Sequence, residues 1–348
     1  MMKICFIGNL ESMHLRAMCN YFKGRHDVHV ITWKGDMKGV TVHKIYRNLY
    51  GFFINLFLVK KILKKIKPDI VHAQYLPNAG VYAAFSGVKP FFADPMGEEL
   101  TNNPLMLIAD RYVFRKVDAL ITHENEAAER IREIGYKGRI IIKARGVNLD
   151  VFKNRHLKKK NVITICRHIH QEYSTHVFFK AIKYVLKEFP DMKFLCIAQY
   201  RDPTYLKKIE NIIKEDGIEK NVKIMSFIED FNEFTNIIGS SKALIDTYYS
   251  EERGLGLGYG NLEAMALGTP VISAKRPLLL RNPKWFYGLI YEDHDEKDLA
   301  NKIIYLLKNE KLQKNIIKKS EESVKNNFDL NKNMKYIEKQ YESYIRKG

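Results

Sequence analysis

A glycine-rich segment in the second half of the chain carries the residue types most suggestive of chemistry. It reads Gly254-Leu-Gly-Leu-Gly-Tyr-Gly-Asn-Leu-Glu-Ala-Met-Ala-Leu-Gly-Thr-Pro-Val-Ile-Ser273. Glycines let a backbone approach a ligand closely, because no side chain intervenes. The pattern predicts a helix from about Asn261, whose first N–H groups and dipole favour an anion. One turn into that helix, Glu263 suits sugar hydroxyls better than phosphate, so the segment predicts a nucleotide-sugar site.

The stretch from Gly256 to Val271 resembles the donor-site signature of the family-4 retaining glycosyltransferases of GT-B fold. That signature reads roughly Glu-Gly-x-Gly-x-x-x-Leu-Glu-Ala-Met-Ala-x-Gly-Thr-Pro-Val, and its second half matches closely. The resemblance implies that Glu263 holds the ribose of a UDP- or GDP-sugar. It also assigns to the donor site the helix start, which consists of Gly258, Tyr259, Gly260, Asn261 and Leu262.

One departure from the signature concerns its first glutamate, whose position is Leu255 here. Glu251 and Glu252 lie just upstream, and an insertion in the loop would let one of them, Glu252 in our assignment, take over that role. The departure leaves an alternative open, namely a related two-domain protein that binds nucleotide or sugar but has reduced or lost transferase activity.

Composition favours a folded protein of two domains. The chain has 348 residues, of which 46% are hydrophobic, enough for two cores and too apolar for a disordered chain. The longest apolar stretch is too short to span a bilayer, and the N-terminus predicts a first strand rather than a signal peptide. Four scattered cysteines without metal-ligand spacing predict reduced thiols in a cytoplasmic protein; they are Cys5, Cys19, Cys166 and Cys196.

The formal net charge of +18 is compatible with nucleic acid, an anionic membrane or anionic small ligands. Heavy lysine and glutamate use also occurs in proteins from hot environments. The basic residues are spread over many predicted helices, and no aromatic-and-glycine RNA signature is found. A nucleic-acid partner is therefore not expected.

Short apolar strands alternate with amphipathic helices through two successive series. The first runs from Ile4–Ile7 to Ile140–Lys143 and the second from Val162–Cys166 to Leu289–Tyr291. This alternation predicts α/β architecture with parallel sheets. Together with the resemblance it implies a GT-B fold, in which two Rossmann-like, doubly wound domains face a cleft. We place the acceptor-side domain at 1–155, completed by a C-terminal helix at 328–348, and the nucleotide-sugar domain at 156–327.

The first half resembles the family at several strand ends. Gly8 and His14 lie in a loose match to a Ser-x-His-x-x-Arg opening, and Pro68 to Tyr75 matches Pro-Asp-Ile-Val-His-Ala-His with Gln74 in place of the second histidine. Met96 occupies the place of a histidine that many members carry. We assign five residues to the acceptor side: Gly8, His14, Glu98, Glu99 and His123.

His72 ends a predicted strand, and the sequence allows two interpretations of it. One is a catalytic contact with the sugar or acceptor; the other is a partly buried histidine that caps its strand. The same alternatives hold for His123, which follows the strand Ala119–Thr122.

The family holds the donor diphosphate with an arginine and a lysine after the first strand of the second domain. Arg167 follows Val162–Cys166 and matches the arginine, whereas the lysine falls near Glu172 or Tyr173, and neither is basic. Arg167 and Glu263 are thus the candidate donor-side catalytic residues. Asp293-His294-Asp295 superficially resembles a metal-binding motif, but Asp295 is better placed as a helix N-cap, so we predict neither a metal nor another cofactor.

The helix predicted over 49–66 suggests a partner for the acceptor. One stripe should face the core: Leu49, Phe52, Phe53, Leu56, Val59, Leu63 and Ile66. The opposite face starts with Tyr50, Ile54, Phe57 and Leu58 and ends with Lys61, Lys64 and Lys65. Such a face either lies under another helix or binds an anionic membrane. Because several family members act on lipid-linked acceptors, we expect peripheral binding at the inner membrane face and a lipid-linked acceptor; a saccharide acceptor is the alternative.

Overall fold

The computed structural model describes residues 1–96, 100, 103–144, 146–226, 228–248, 257–276, 279–280 and 283–346. These residues form two compact units, Met1–Arg145 with Asn331–Gly348, and Gly146–Leu330. The sequence places the boundary at residue 155, but the residues after Gly146 belong to the second unit. The reason is that Val147 pairs with Asp329, and its N–H donates to the carbonyl of Phe328 at 2.7 Å.

Each unit is built on a sheet in which every adjacent pair of strands is parallel. The first sheet has the order β3-β2-β1-β4-β5-β6-β7, with strands β1 Lys3–Ile7, β2 Asp27–Thr32, β3 Thr41–Lys44, β4 Ile70–Gln74, β5 Phe91–Asp94, β6 Ala119–Thr122 and β7 Arg139–Ile142. The second has the order β10-β9-β8-β11-β12-β13, with strands β8 Val162–Cys166, β9 Lys193–Ile197, β10 Val222–Met225, β11 Ala243–Asp246, β12 Val271–Ala274 and β13 Leu289–Tyr291. Strand order reverses between β1 and β4 and between β8 and β11, and ligands of such sheets bind at the carboxyl ends there.

Helices connect the strands of both sheets. In the first unit they are α1 Met13–Phe22, α2 Leu49–Ile66, α3 Val81–Ser86, α4 Pro104–Phe114 and α5 Asn125–Glu133. The second unit contains α6 His176–Leu186, α7 Pro203–Glu215, α8 Phe231–Ser240, α9 Tyr259–Ala266, α10 Glu296–Lys308 and α11 Glu310–Asn327. The chain ends in α12 Leu330–Ile345. The predicted α/β class with two parallel-sheet units is confirmed.

The strand β3 is absent from the sequence prediction. Its residues read Thr-Val-His-Lys, it is half-exposed, and it pairs only with β2 at the edge of the sheet. An edge strand is paired with a neighbouring strand on one side only and remains partly exposed to solvent. It therefore needs no run of apolar residues, and the pattern that predicts buried strands is absent.

Helix α2 begins and ends as predicted, but the set of residues that face the core differs from the predicted stripe. Asn55 is buried, and its amide accepts from the backbone N–H of Tyr46 at 3.1 Å and donates to the carbonyl of Tyr46 at 2.9 Å. Phe53 therefore lies on the outer side and is 67% exposed, which corrects its assignment to the core stripe. Leu58, assigned to the outer face, instead packs against the core beside Val59 and Leu63.

The C-terminal helix α12 packs on the first unit. Tyr341 is fully buried, and its ring contacts Phe22 and Phe92 at centroid distances of 5.7 and 4.9 Å. On the same helix, Glu338 accepts from Tyr21 Oη at 2.9 Å and lies 2.6 Å from His26 Nε2. The end of the chain thus contributes to the core that the first 145 residues begin.

Among the described residues, no helix has the length and apolar character needed to cross a membrane. Cys5, Cys19 and Cys196 are buried free thiols, and Cys166 is a partly buried one.

Candidate functional site

A buried carboxylate, Asp246, organises the carboxyl edge of the second sheet. It ends the apolar strand β11, next to β8 on one side and β12 on the other, and it is 1% exposed. A buried carboxylate needs charged or hydrogen-bonding partners to remain ionised. The strands on both sides supply an arginine each, because the carboxyl ends of parallel neighbours meet at one edge.

Arg167 follows β8, and its Nε and Nη2 donate to Asp246 Oδ1 at 3.1 and 2.9 Å. Arg276 follows β12, and its Nη2 donates to Asp246 Oδ2 at 2.8 Å and to Ser273 Oγ at 3.0 Å. Burial by itself would raise the pKa of Asp246, but the two arginines and a hydrogen bond from Asn261 hold that pKa well below its usual range. Asp246 is therefore ionised at neutral pH.

The start of helix α9 lies against Arg167. A Cβ added to Gly258, the residue before the helix, would come within 2.9 Å of Arg167 Nη2, so a larger residue there would displace the guanidinium. Gly260 faces open space, and Tyr259 is partly buried. The helix begins at Tyr259 rather than at the predicted Asn261. Its positive end and the guanidinium of Arg167 together have the charge and the direction that suit an anion.

Three further predicted donor residues have different environments within α9. Asn261 is 1% exposed and donates from Nδ2 to Asp246 Oδ2 at 2.5 Å, and Leu262 is 4% exposed. Both side chains are buried and hold the helix against the rest of the unit, so they offer no atoms to solvent. Glu263 is partly buried, and burial raises the pKa of its carboxyl to about 7, although Arg167 opposes that shift.

Two tyrosines flank the arginines. The guanidinium carbon of Arg167 lies 5.6 Å from the ring centre of Tyr248 and 6.0 Å from that of Tyr173. Arg276 approaches the same Tyr248 ring at 6.0 Å. Since a cation over an aromatic face is favourable, these rings help to fix the direction of both guanidinium groups.

Sequence reasoning did not select Asp246, Arg276 or the two tyrosines. The available signal was a charged residue at the carboxyl end of an apolar strand, Ala-Leu-Ile-Asp246, and a second one just after Val271–Ala274. The adjacency of the two strands in the sheet was needed to relate these charges to Arg167.

In the first unit, Gly8 lies at the end of β1, where a Cβ would approach Leu15 of α1 to 3.2 Å and Gln74 of β4 to 3.3 Å. The chain therefore passes close to both elements at Gly8, where glycine leaves room for them. His14 lies in the first turn of α1 and is partly buried.

The two histidines considered for contact with the sugar or acceptor, His72 and His123, differ in accessibility. His72 is 1% exposed, its Nδ1 is hydrogen bonded to Tyr341 Oη, and burial lowers its pKa to about 4. His72 is the third of the five residues of β4, so the prediction that it ends its strand is wrong. Its burial disfavours a catalytic contact with the sugar or acceptor and favours the interpretation of a buried histidine. His123 is partly buried, with Nε2 at 2.8 Å from Asp94 Oδ1 and Nδ1 at 3.0 Å from the carbonyl of Lys143. It retains some surface at the carboxyl edge of the first sheet.

Four residues that carried predictions lie outside the described part of the chain. They are Glu98 and Glu99, assigned to the acceptor side, Glu252, assigned to the donor site, and Leu255, which replaces the first glutamate of the signature.

Asp295 is the N-cap of α10, as its sequence context predicts. Its Oδ1 accepts from the backbone N–H groups of Lys297 and Asp298, each at 2.9 Å. Within the described residues, no group of three or more histidine, cysteine, aspartate or glutamate side chains is arranged to hold a metal ion.

Solved structures with a similar fold include a protein in complex with UDP and glucose and a glycosyltransferase. HepE of Anabaena, in complex with UDP and glucose, superposes with a TM-score of 0.78 at 16% identity over 99% of this chain and 100% of that one. A glycosyltransferase of Rickettsia africae gives a TM-score of 0.79 at 19% identity over 99% of both chains. In sequence, the uncharacterized glycosyltransferase MJ1178 of Methanocaldococcus jannaschii is 22% identical over 97% of this chain and 95% of that protein.

The two parallel-sheet α/β units give the chain the GT-B fold of these structures. The model of the glycosyl transferases group 1 family matches residues 147–323, over half of the chain, and that of the glycosyl transferase 4-like family matches residues 3–124. The chain belongs to the glycosyl transferases group 1 family, and sugar transfer is its activity.

Proposed function

We propose that this protein transfers a hexosyl group from a nucleoside diphosphate sugar, UDP- or GDP-linked, with retention of the anomeric configuration. Arginines, rather than a metal ion, neutralise the departing diphosphate in this proposal. The acceptor is lipid-linked and is reached from the membrane surface. The UDP bound by HepE of Anabaena makes UDP-sugars the first donors to test.

The observation that carries the donor proposal is the contact between Arg167 and the start of α9. Arg167 is partly exposed and fixed by Asp246, and the helix offers its positive end next to the same guanidinium. Preorganised dipoles and cations of this kind stabilise charge that develops on a leaving group. The nucleoside diphosphate is the leaving group of sugar transfer. Arg167 and the start of α9 would stabilise its negative charge without rearrangement of the protein.

Glu263 would hold the ribose. Its carboxyl lies one turn into α9, near Arg167, and it accepts hydroxyl hydrogen bonds when ionised. His14 and His123, at the carboxyl edge of the first sheet, remain the acceptor-side candidates in the described part of the chain.

The donor site is tested by replacing Arg167 with alanine. Because the guanidinium acts on the diphosphate, binding should weaken by about tenfold or more for a nucleoside diphosphate and little for its nucleoside. Arg155→Ala is the control, since Arg155 is an exposed arginine in the same unit. Equal losses for the two ligands would contradict a phosphate role for Arg167.

Transfer itself is tested with labelled nucleotide sugars and a lipid-phosphate acceptor. NMR of the product gives its anomeric configuration, which should equal that of the donor. An inverted product would overturn the retaining mechanism, and donor binding without product would favour a protein that has lost transfer.

The acceptor proposal is supported by the outer face of α2, which we call the α2 surface: Tyr50, Phe53, Ile54, Phe57, Lys61, Lys64 and Lys65. The four apolar residues are between 53% and 85% exposed, and the three lysines are exposed. Helix α2 contains no acidic residue. Exposed aromatic rings beside lysines suit the interface of an anionic bilayer, where the rings enter the headgroup layer.

A further inference from the structure

We propose that Arg276 supplies the second positive charge of the diphosphate site and that it acts by neutralising Asp246. The inference rests on the proposed donor function and deepens it. It makes Arg276 a positioning residue, since its effect on the ligand passes through Asp246 and Arg167.

The charges of the hydrogen-bonded cluster are the first observation. Arg167 and Asp246 alone would form a neutral pair, joined by two hydrogen bonds of 3.1 and 2.9 Å. A guanidinium whose charge is cancelled by a buried carboxylate has little attraction left for a phosphate. Arg276, bonded to the other oxygen of Asp246 at 2.8 Å, changes the net charge of this cluster from zero to positive.

The second observation is an unused donor. Arg276 is 3% exposed, and its Nε has no hydrogen-bond partner among the described residues. Leaving a buried charged donor unsatisfied is costly, and an excess positive charge without a counterion is costly as well. The cost of the excess charge falls when an anion binds at the exposed side of Arg167.

The third observation is the missing cation after β8. The resemblance to family-4 glycosyltransferases implies a lysine near positions 172 and 173, which here are Glu172 and Tyr173. Arg276 comes instead from the loop after β12, on the other side of Asp246. It explains how the site keeps two positive charges with a different set of residues.

The test uses charge compensation at pH 6, where Glu263 is mostly protonated because its pKa is about 7. Dissociation constants of UDP and uridine, or of GDP and guanosine if the wild type prefers them, are measured for wild type, R276M, D246N/R276M and K275M. R276M should reduce the preference for the diphosphate over the nucleoside about tenfold, because the cluster becomes neutral. D246N/R276M restores the net positive charge, and most of the preference should return.

K275M is the matched control, because it removes a positive charge from the neighbouring residue, which is exposed and paired with Glu292. It should leave the preference nearly unchanged. Circular dichroism and thermal unfolding show which variants are folded.

Failure of this inference can be distinguished from failure of the donor proposal. If the wild type binds no nucleoside diphosphate, the donor proposal itself is wrong. If the wild type binds one and folded R276M keeps the preference, or if D246N/R276M loses as much as R276M, Arg276 has only a structural role. If R276M does not fold, the variant D246N tests the proposal instead. It removes the negative charge of Asp246 and should increase the preference for the diphosphate over the nucleoside, whereas a decrease contradicts the proposal.

Discussion

Glu263, which we propose holds the ribose of the donor, changes its protonation near neutral pH. Burial disfavours its charged form and raises its pKa to about 7, and Arg167 only partly opposes this shift. A protonated carboxyl offers fewer acceptor sites to a ribose than a carboxylate does. The strength of ribose binding should therefore depend on pH in the range where Glu263 ionises.

We expect the wild type to bind the nucleoside of its donor about fivefold more tightly at pH 8 than at pH 5.5, because hydrogen bonds to a charged acceptor are the stronger ones. Glu263→Gln should bind more weakly and show no pH dependence. The nucleoside is the right probe, since it has no phosphate that titrates in this range. NMR titration at several pH values measures both proteins, and a parallel pH dependence in the two would exclude Glu263 as its origin.

The pH dependence of protein stability that Glu263 causes has the opposite sign to that of nucleoside binding. The pKa of Glu263 is higher in the folded protein than its ordinary value of 4.5, so the folded state binds the proton more strongly. The contribution of Glu263 to the free energy of unfolding is fully present below pH 4.5 and is lost as the pH rises through about 7. Ionisation of Glu263 therefore lowers the stability of the folded protein in the same pH range in which it should increase the affinity for ribose.

At the level of elements, helix α2 combines a structural face with the α2 surface. Its inner side carries Val59, Leu63 and Ile66 into the core of the first unit, and Asn55 fixes its rotation through Tyr46. The outer side is free to bind a partner without disturbing that core. The absence of acidic residues from the helix favours an anionic partner.

We expect the wild type to float with anionic liposomes at low salt and Phe53→Ser/Phe57→Ser to remain largely in the soluble fraction. The two rings account for the apolar part of binding, while each lysine near the surface adds about 1 kcal/mol. Flotation should decrease with added salt and be weak with neutral liposomes.

Phe231→Ser/Tyr305→Ser is the matched control, because both side chains are exposed aromatics of the second unit, 52% and 54% exposed. Its flotation should equal that of the wild type. If the wild type stays in the soluble fraction at low salt, the membrane proposal fails and a soluble saccharide becomes the better acceptor.

At the level of the whole molecule, the chain leaves the first unit near Gly146 and returns to it with α12. Tyr341 is central to this return, since its ring packs between Phe22 and Phe92 and its hydroxyl is hydrogen bonded to His72. The stability of the first unit therefore depends on residues more than three hundred positions away in sequence.

Tyr341→Ala should lower the free energy of unfolding of the first unit by about 3–5 kcal/mol, the range for removing a buried aromatic ring. Tyr341→Phe keeps the ring and should cost about 1–3 kcal/mol, because the partner of His72 is lost. Hydrogen exchange measures the two units separately, and protection should fall in the first unit only. Tyr336→Ala, on the exposed side of the same helix, is the control; an equal effect from both alanine variants would show that packing at Tyr341 is unimportant.

Much of the architecture could be predicted from local sequence. Apolar strands such as Ile4–Ile7 and Val162–Cys166 alternate with amphipathic helices, and this periodicity is a property of neighbouring residues. The donor segment was also recognisable, because its glycines and Glu263 are contiguous in the chain. The edge strand β3 was missed since its half-exposed residues carry no apolar run.

Other features were decided only by tertiary structure. Asp246, Arg167 and Arg276 are distant in sequence, and their pairing depends on the order β8-β11-β12 in the sheet. The burial of His72 depends on Tyr341 from the last helix. Phe53 is exposed because the side of α2 that carries Asn55 faces the core. Sequence alone determined the periodicity of the elements and the contiguous donor motif, because both are local. The charge of the anion site and the accessibility of the histidines depend on contacts through space, so only the fold decided them.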